Sequence, residues 1–144
     1  MAAILRSALV NYSAEQVFDV VNDVEAYPQF LPGCAGSTIF ESSDQYMRAE
    51  LQLGRGAVAM RFVTANTLKR GEYIRLTLQN GPFSSFAGQW CFRSLNETAC
   101  KVSFQLDFKM KNPLLGKAME AIMSKVSNDM VDAVTRELKR RYDI

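Results

Sequence analysis

Cys34, Cys91 and Cys100 are the only thiols in the chain, and no histidine is present to activate them. An odd number of cysteines without a CxxC spacing does not make a disulfide framework. The missing histidine excludes Ser-His-Asp, Cys-His and histidine-zinc sites, because it removes the commonest general base and the commonest metal ligand together. A carboxylate-only metal site needs clustered acids, and the sequence has no such cluster. Acid-base chemistry would then fall to Asp107, Glu50, Arg61 or Tyr46. By strand alternation Asp107 and Glu50 point away from the apolar face, so a buried catalytic carboxylate is not expected.

Charge supplies a second kind of chemistry. Residues 1–50 hold two basic and seven acidic residues, net −5; the remainder holds fifteen and eight, net +7. Such polarity can steer a protein onto phosphate-rich surfaces. Scattered solvated charge explains the same numbers. The one dense basic run is RELKRRY, with Arg136, Lys139, Arg140 and Arg141. Cations at a helix C-terminus also favour the helix itself, and the run lacks the interleaved aromatics of a known RNA module.

A third candidate is the stretch YPQFLPGCAG, residues 27–36. Two prolines stiffen it, and Gly33 and Gly36 allow turns that a β-carbon would obstruct. No lysine or histidine lies beside Cys34 in sequence to lower its pKa. It reads as a small apolar wall residue, and the stretch as architecture at a mouth, with Tyr27, Phe30 and Leu31 lining an entrance.

These residues must be held by elements, and the hydrophobic pattern says which. The 144 residues suit one domain covering 1–144, and 48% hydrophobic with 22% charged residues is globular composition. A chain of this length buries about 68–70% of its unfolded surface. No run approaches the ~18 apolar residues of a membrane span. No basic segment precedes an apolar run at the N-terminus, which predicts a cytoplasmic protein, or one whose transit peptide has been trimmed.

A strand is expected over Ile4–Val10, then a helix opened by the capping box SAEQ at Ser13 and Gln16. A second short helix, VEAYPQF, follows. QYMRAELQL, VAMRFVTANTL, EYIRLTLQN, FAGQWCFRS and CKVSFQLDFKM then alternate apolar and polar as antiparallel strands with one wet face. Asn112 and Pro113 should open a last helix of about thirty residues, roughly 45 Å long. Its apolar stripe is Leu115, Met119, Ile122, Val126, Met130, Val134 and Leu138. An α+β fold follows, a curved antiparallel sheet of about six or seven strands wrapped around a long C-terminal helix, with two short helices after the first strand.

Curling a sheet around a helix leaves room that side chains fill imperfectly. Met47, Met60, Met119, Met123 and Met130 aim at that volume, and methionine adapts to changing occupants as well as filling ordinary core gaps. An apolar cavity with few polar anchors suits a greasy ligand.

Three segments carry a family resemblance: ALVNYSAEQVFDVVNDVEAYPQFLPGC, NGPFSSFAGQWCFRSL and FQLDFKMKNPLL. The chain resembles the ribosome association toxin RatA family, bacterial relatives of the mitochondrial coenzyme Q-binding proteins, within the START-like (polyketide cyclase/dehydrase, SRPBCC) superfamily. Many members of the wider superfamily carry Trp after the second proline; Gly33 stands there, which favours the RatA branch. The resemblance implies a helix-grip fold with an apolar tunnel. It implies a non-catalytic protein that binds an isoprenoid quinone such as ubiquinone, or another lipid, in support of respiration, with no required cofactor. It also implies a second activity, binding the large ribosomal subunit and blocking subunit joining.

The expected ligand contacts are Tyr27, Phe30, Met47, Leu51, Met60, Phe62, Leu76, Trp90, Phe104, Met119, Ile122 and Met123. Ribosomal contact is expected at Arg136, Lys139, Arg140 and Arg141. The corresponding partners are a hydrophobic small molecule and the large ribosomal subunit, with a transient contact at the inner membrane surface for a lipid cargo and no DNA. Cyclase or dehydratase chemistry is the competing class, and it needs an acid or base inside the cavity.

Overall fold

The computed structural model describes residues 2–114 and 116–143, Arg55 by its backbone alone. The chain runs β1 (Ala2–Val10), α1 (Ala14–Asn22), a 3-10 turn (Val24–Ala26), α2 (Tyr27–Phe30), β2 (Cys34–Ser42), β3 (Tyr46–Arg55), β4 (Val58–Lys69), β5 (Tyr73–Asn80), β6 (Phe83–Asn96), β7 (Ala99–Met110) and α3 (Lys117–Tyr142). Seven antiparallel strands form one curved sheet in the order β1-β7-β6-β5-β4-β3-β2, and α3 packs against its apolar face. This is the expected α+β helix-grip arrangement.

Alternation decides the faces. Along β7 Cys100, Val102, Phe104, Leu106, Phe108 and Met110 are buried, and Lys101, Gln105 and Lys109 are exposed. The inward faces of β3 to β6 also follow the expected residues, with Met47, Phe62, Ile74 and Trp90 in the core. Alternate side chains share a face, so one apolar residue in two is enough to cover the helix side.

α1 begins as its sequence requires. The Gln16 amide donates to Ser13 Oγ at 3.1 Å, and the Ser13 amide donates to Gln16 Oε1 at 3.0 Å. This closes two otherwise unpaired amides at the helix start.

Two expectations are corrected and one strand is added. VEAYPQF is not one helix; Val24–Ala26 is a 3-10 turn and Tyr27–Phe30 a single α-helical turn. Cys34 opens a strand, β2, that simple alternation conceals, because its pairing with β3 shifts register between Cys34 and Gly36 and again between Ile39 and Glu41. Each slip moves side chains to the other face. α3 starts at Lys117, not beside Asn112. The Asn112 side chain accepts from the Leu114 amide at 3.2 Å, making a local turn, and the N-cap is Gly116, whose carbonyl accepts from the Glu120 amide at 2.7 Å. The helix has 26 residues, hence about 39 Å. Leu115, first in the expected stripe, lies outside the described residues.

Candidate functional site

The concave face of the sheet and α3 do not close completely. Between them lies a cavity with about 60 Å³ in which the centre of a water-sized sphere can move. One water needs about 10–15 Å³ on that measure, so the space suits a few waters or one small ring. Strands β3 to β7 supply Leu51, Phe62, Leu76, Trp90 and Phe104 to the wall. α3 supplies Met123, Val126, Ser127 and Met130; α1 and the segment after it supply Val21, Asn22, Tyr27 and Leu31.

The wall is apolar except for four uncharged polar side chains and one phenol. Thr64, Asn66, Ser127 and Asn22 line it, and the side-chain oxygens of Asn22 and Asn66 are buried without a hydrogen-bond partner. Burying an amide oxygen unpaired is costly, so each is an acceptor open to a donor from a guest. Tyr27 is the one titratable group among the described lining residues. Its hydroxyl donates to the Val21 carbonyl, and burial raises its pKa, so at neutral pH it is a hydrogen-bond donor already engaged. The arrangement can bind and orient; it presents no charged acid or base to a guest.

Outside this cavity, the segment after α2 forms one bank of an open groove of about 440 Å³, with Pro32 and Gly33 facing Ala121, Ile122, Lys125 and Asp129 of α3. Val126 lines both spaces. Gly33 has φ +89°, and its carbonyl accepts from the Gly54 amide at 3.0 Å, which pins this bank to β3. Pro32 and Gly33 of the stretch YPQFLPGCAG thus face α3 across this outer groove. Cys34 is buried and burial raises its thiol pKa, as an apolar wall residue requires, but it does not line the cavity.

Of the twelve expected ligand contacts, Tyr27, Leu51, Phe62, Leu76, Trp90, Phe104 and Met123 line the cavity. Met47 and Met60 are buried in other parts of the core. Phe30 packs edge-on against the far side of Tyr27, ring centroids 5.4 Å apart. Met119 is half-buried near the start of α3, and Ile122 faces the outer groove. One residue of helix is 100°, so Met123 faces inward where Ile122 faces the groove. The polar lining was missed. Thr64 and Asn66 follow Phe62 on the inward face of β4, and two polar residues on an otherwise apolar face were the available signal.

The C-terminal cations are only partly available. Arg140 and Arg141 both donate to the buried carboxylate of Glu137, and Arg141 also reaches Asp23 at 2.8 Å. Glu137 is 4% exposed. Hydrogen bonds from Arg140 and then Arg141 hold its carboxyl at about 2. Arg136 and Lys139 have no ion pair among the described residues. Of the four expected ribosomal contacts, Arg141 ties the end of α3 to Asp23 beside α1, while Arg140 pairs within α3 with its side chain still exposed. Among the described residues no cluster could hold a metal, and no helix is long and apolar enough to cross a membrane.

A curved antiparallel sheet gripping one long helix around an apolar cavity defines a START-like domain. Residues 10–135 match the family model described as polyketide cyclase / dehydrase and lipid transport. Over 139 residues the chain is 42% identical to the ribosome association toxin RatA of Pseudomonas aeruginosa, covering 96% of each. The mitochondrial coenzyme Q-binding protein COQ10 of Dictyostelium discoideum is a more distant relative, 26% identical over 137 residues, with 92% of this chain and 67% of that protein covered. Among solved structures, the ZhuI aromatase/cyclase from Streptomyces superposes with a TM-score of 0.83 at 18% identity, covering 97% of this chain and 94% of that one, a likeness of fold alone. The chain belongs to the polyketide cyclase/dehydrase and lipid transport family, and within it to the RatA family.

Proposed function

We propose that this protein associates with the ribosome as a RatA-type toxin, binding the large subunit and hindering subunit joining. The observation that carries this reading is its 42% identity, over nearly the full length of both chains, with a protein named for ribosome association. The tightness of the interior supports it, since about 60 Å³ of room for water-sized centres is far less than a prenyl tail needs. Sucrose-gradient profiles of cells overexpressing the protein test it. The expected result is a fall in joined ribosomes and a rise in free subunits; an unchanged ratio rejects the reading.

One observation favours a second reading, that the protein binds a hydrophobic ligand without transforming it. The cavity is apolar and holds two unpaired amide oxygens, Asn22 and Asn66. A prenyl quinone or other lipid supporting respiration would need α3 and the Pro32–Gly33 bank to part. Its contacts would be the seven lining residues named above, and Tyr27 is the one titratable group among the described lining residues. Native mass spectrometry and lipid extraction of protein from its own host should then find a prenyl lipid; repeated absence, with no quinone binding in vitro, rejects this second function.

A further inference from the structure

We propose that the outward face of the sheet, around Tyr73, Arg75, Arg93 and Lys101, is the surface that meets ribosomal RNA; this rests on the ribosome reading above. Tyr73 and Arg75 lie two residues apart on β5 and so share a face. The Arg75 guanidinium sits over the Tyr73 ring, 4.1 Å from its centroid. Tyr73 is flanked by Lys69 on β4 and Cys91 on β6. Two residues beyond Cys91, Arg93 stands directly opposite Lys101 of β7.

That last pairing is unfavourable in isolation, since like charges facing each other across strands destabilise a sheet. Arg75, Arg93 and Lys101 are exposed, and none has a carboxylate partner among the described residues. Lys69 is paired with Glu72 at 3.1 Å, but both are more than half exposed, and such a pair is worth little against a phosphate. The nearest other acids stand at the margin, Glu97 in the β6–β7 turn and Asp107 further along β7.

Strand spacing and rise put Arg75, Arg93 and Lys101 within about 16 Å of one another, with Tyr73 between. Exposed cations free of carboxylates are open to an outside anion, and a guanidinium 4.1 Å over a tyrosine ring offers both phosphate contact and a platform for an unstacked base. Gln89 and Gln105, paired beside Arg75, add donors and acceptors that suit base edges and ribose hydroxyls. In the RELKRRY run Arg141 is held by both the buried Glu137 and Asp23, which leaves it less open to an outside anion.

The test is cosedimentation of the intact protein with purified bacterial large subunits, between about 50 and 200 mM salt. The triple variants R75E/R93E/K101E and R75Q/R93Q/K101Q are compared with R136E/K139E. The charge reversal should weaken binding at least ~100-fold, and both triple variants should flatten the salt dependence by about 0.7–0.9 per cation removed. R136E/K139E should bind within about threefold of the parent, the size of change usual for rim charges. A second measurement needs no variant. Cys91 is the one exposed cysteine, with Cys34 and Cys100 buried, so saturating large subunits should slow its alkylation at least ~10-fold, as burial in an interface does.

If the parent protein does not bind large subunits, the ribosome reading itself falls. If it binds, but the glutamine triple keeps full affinity and Cys91 reacts at its free rate, the surface assignment is overturned and the ribosome reading stands. Ultraviolet cross-linking of this face to a ribosomal protein instead of RNA would also overturn the assignment.

Discussion

Gly33 and Val126 are packed so closely that a β-carbon added to Gly33 would lie 2.7 Å from Val126 Cγ2. The contact joins the stretch after α2 to α3, and Val126 lines both the inner cavity and the outer groove. One bank of the outer groove is therefore held by a contact between a left-handed glycine and a branched side chain.

Gly33→Ala should destabilise the fold by about 1–3 kcal/mol, combining a β-carbon at positive φ with an overlap the core must absorb. Val126→Ala removes the overlapped methyl and should recover part of that loss in the double variant. Chemical denaturation of the four proteins gives the coupling energy. Strict additivity would mean that the two residues do not meet as described.

Asn66 is 5% exposed, and its side-chain oxygen has no partner. Replacing an unpaired buried amide by a hydrocarbon of similar size removes a desolvation cost of about 1–3 kcal/mol. Asn66→Leu should therefore raise the melting temperature of the empty protein. A hydroxyl-bearing guest would lose its acceptor in the same variant, so its binding should weaken while stability rises. A drop in stability would indicate a partner for that oxygen in solution.

Glu137 makes stability depend on acid. Its folded-state value of about 2 lies below the ordinary 4.5 because Arg140, then Arg141, hydrogen-bond the carboxylate against a smaller opposing effect of burial. A depressed carboxyl stabilises fully above its unfolded value, and the contribution fades as pH falls from about 5 towards 2. The whole is worth roughly 3 kcal/mol at neutral pH. Glu137→Gln should lose most of that at pH 7, and its stability should be flatter than the parent's between about pH 5 and 2. Urea midpoints across that range check it; parallel curves for the two proteins would reject the role.

The strand faces of β4 and β7 could be read from the sequence because burial follows their apolar–polar alternation residue by residue. β2 could not, since two register shifts break its period. The start of α3 was displaced because Asn112 spends its side chain on a local turn, a use of asparagine as common as the helix cap it imitates. The cavity wall was legible in part: Ile122 misses it by one residue of helix rotation, whereas Met47 and Met60 share the inward strand faces but are buried elsewhere in the core. The fate of RELKRRY was not legible at all. It is decided by Asp23, 118 residues earlier in the chain, which receives Arg141 and takes it out of the basic run.

Filling the cavity separates the two functional readings. Ser127 is 1% exposed and lines the cavity from α3. Ser127→Leu adds about three methylene-sized groups of apolar volume to a gap of about 60 Å³ and should raise stability by about 1 kcal/mol or leave it unchanged. A ligand that works from inside would be excluded, and any function that depends on it would be lost with it. A surface function on the far side of the sheet would not notice the change. Subunit profiles that shift as strongly with Ser127→Leu as with the parent protein would place the ribosomal activity on the exterior; profiles that return to normal, with a folded variant, would make the interior guest a condition of ribosome association.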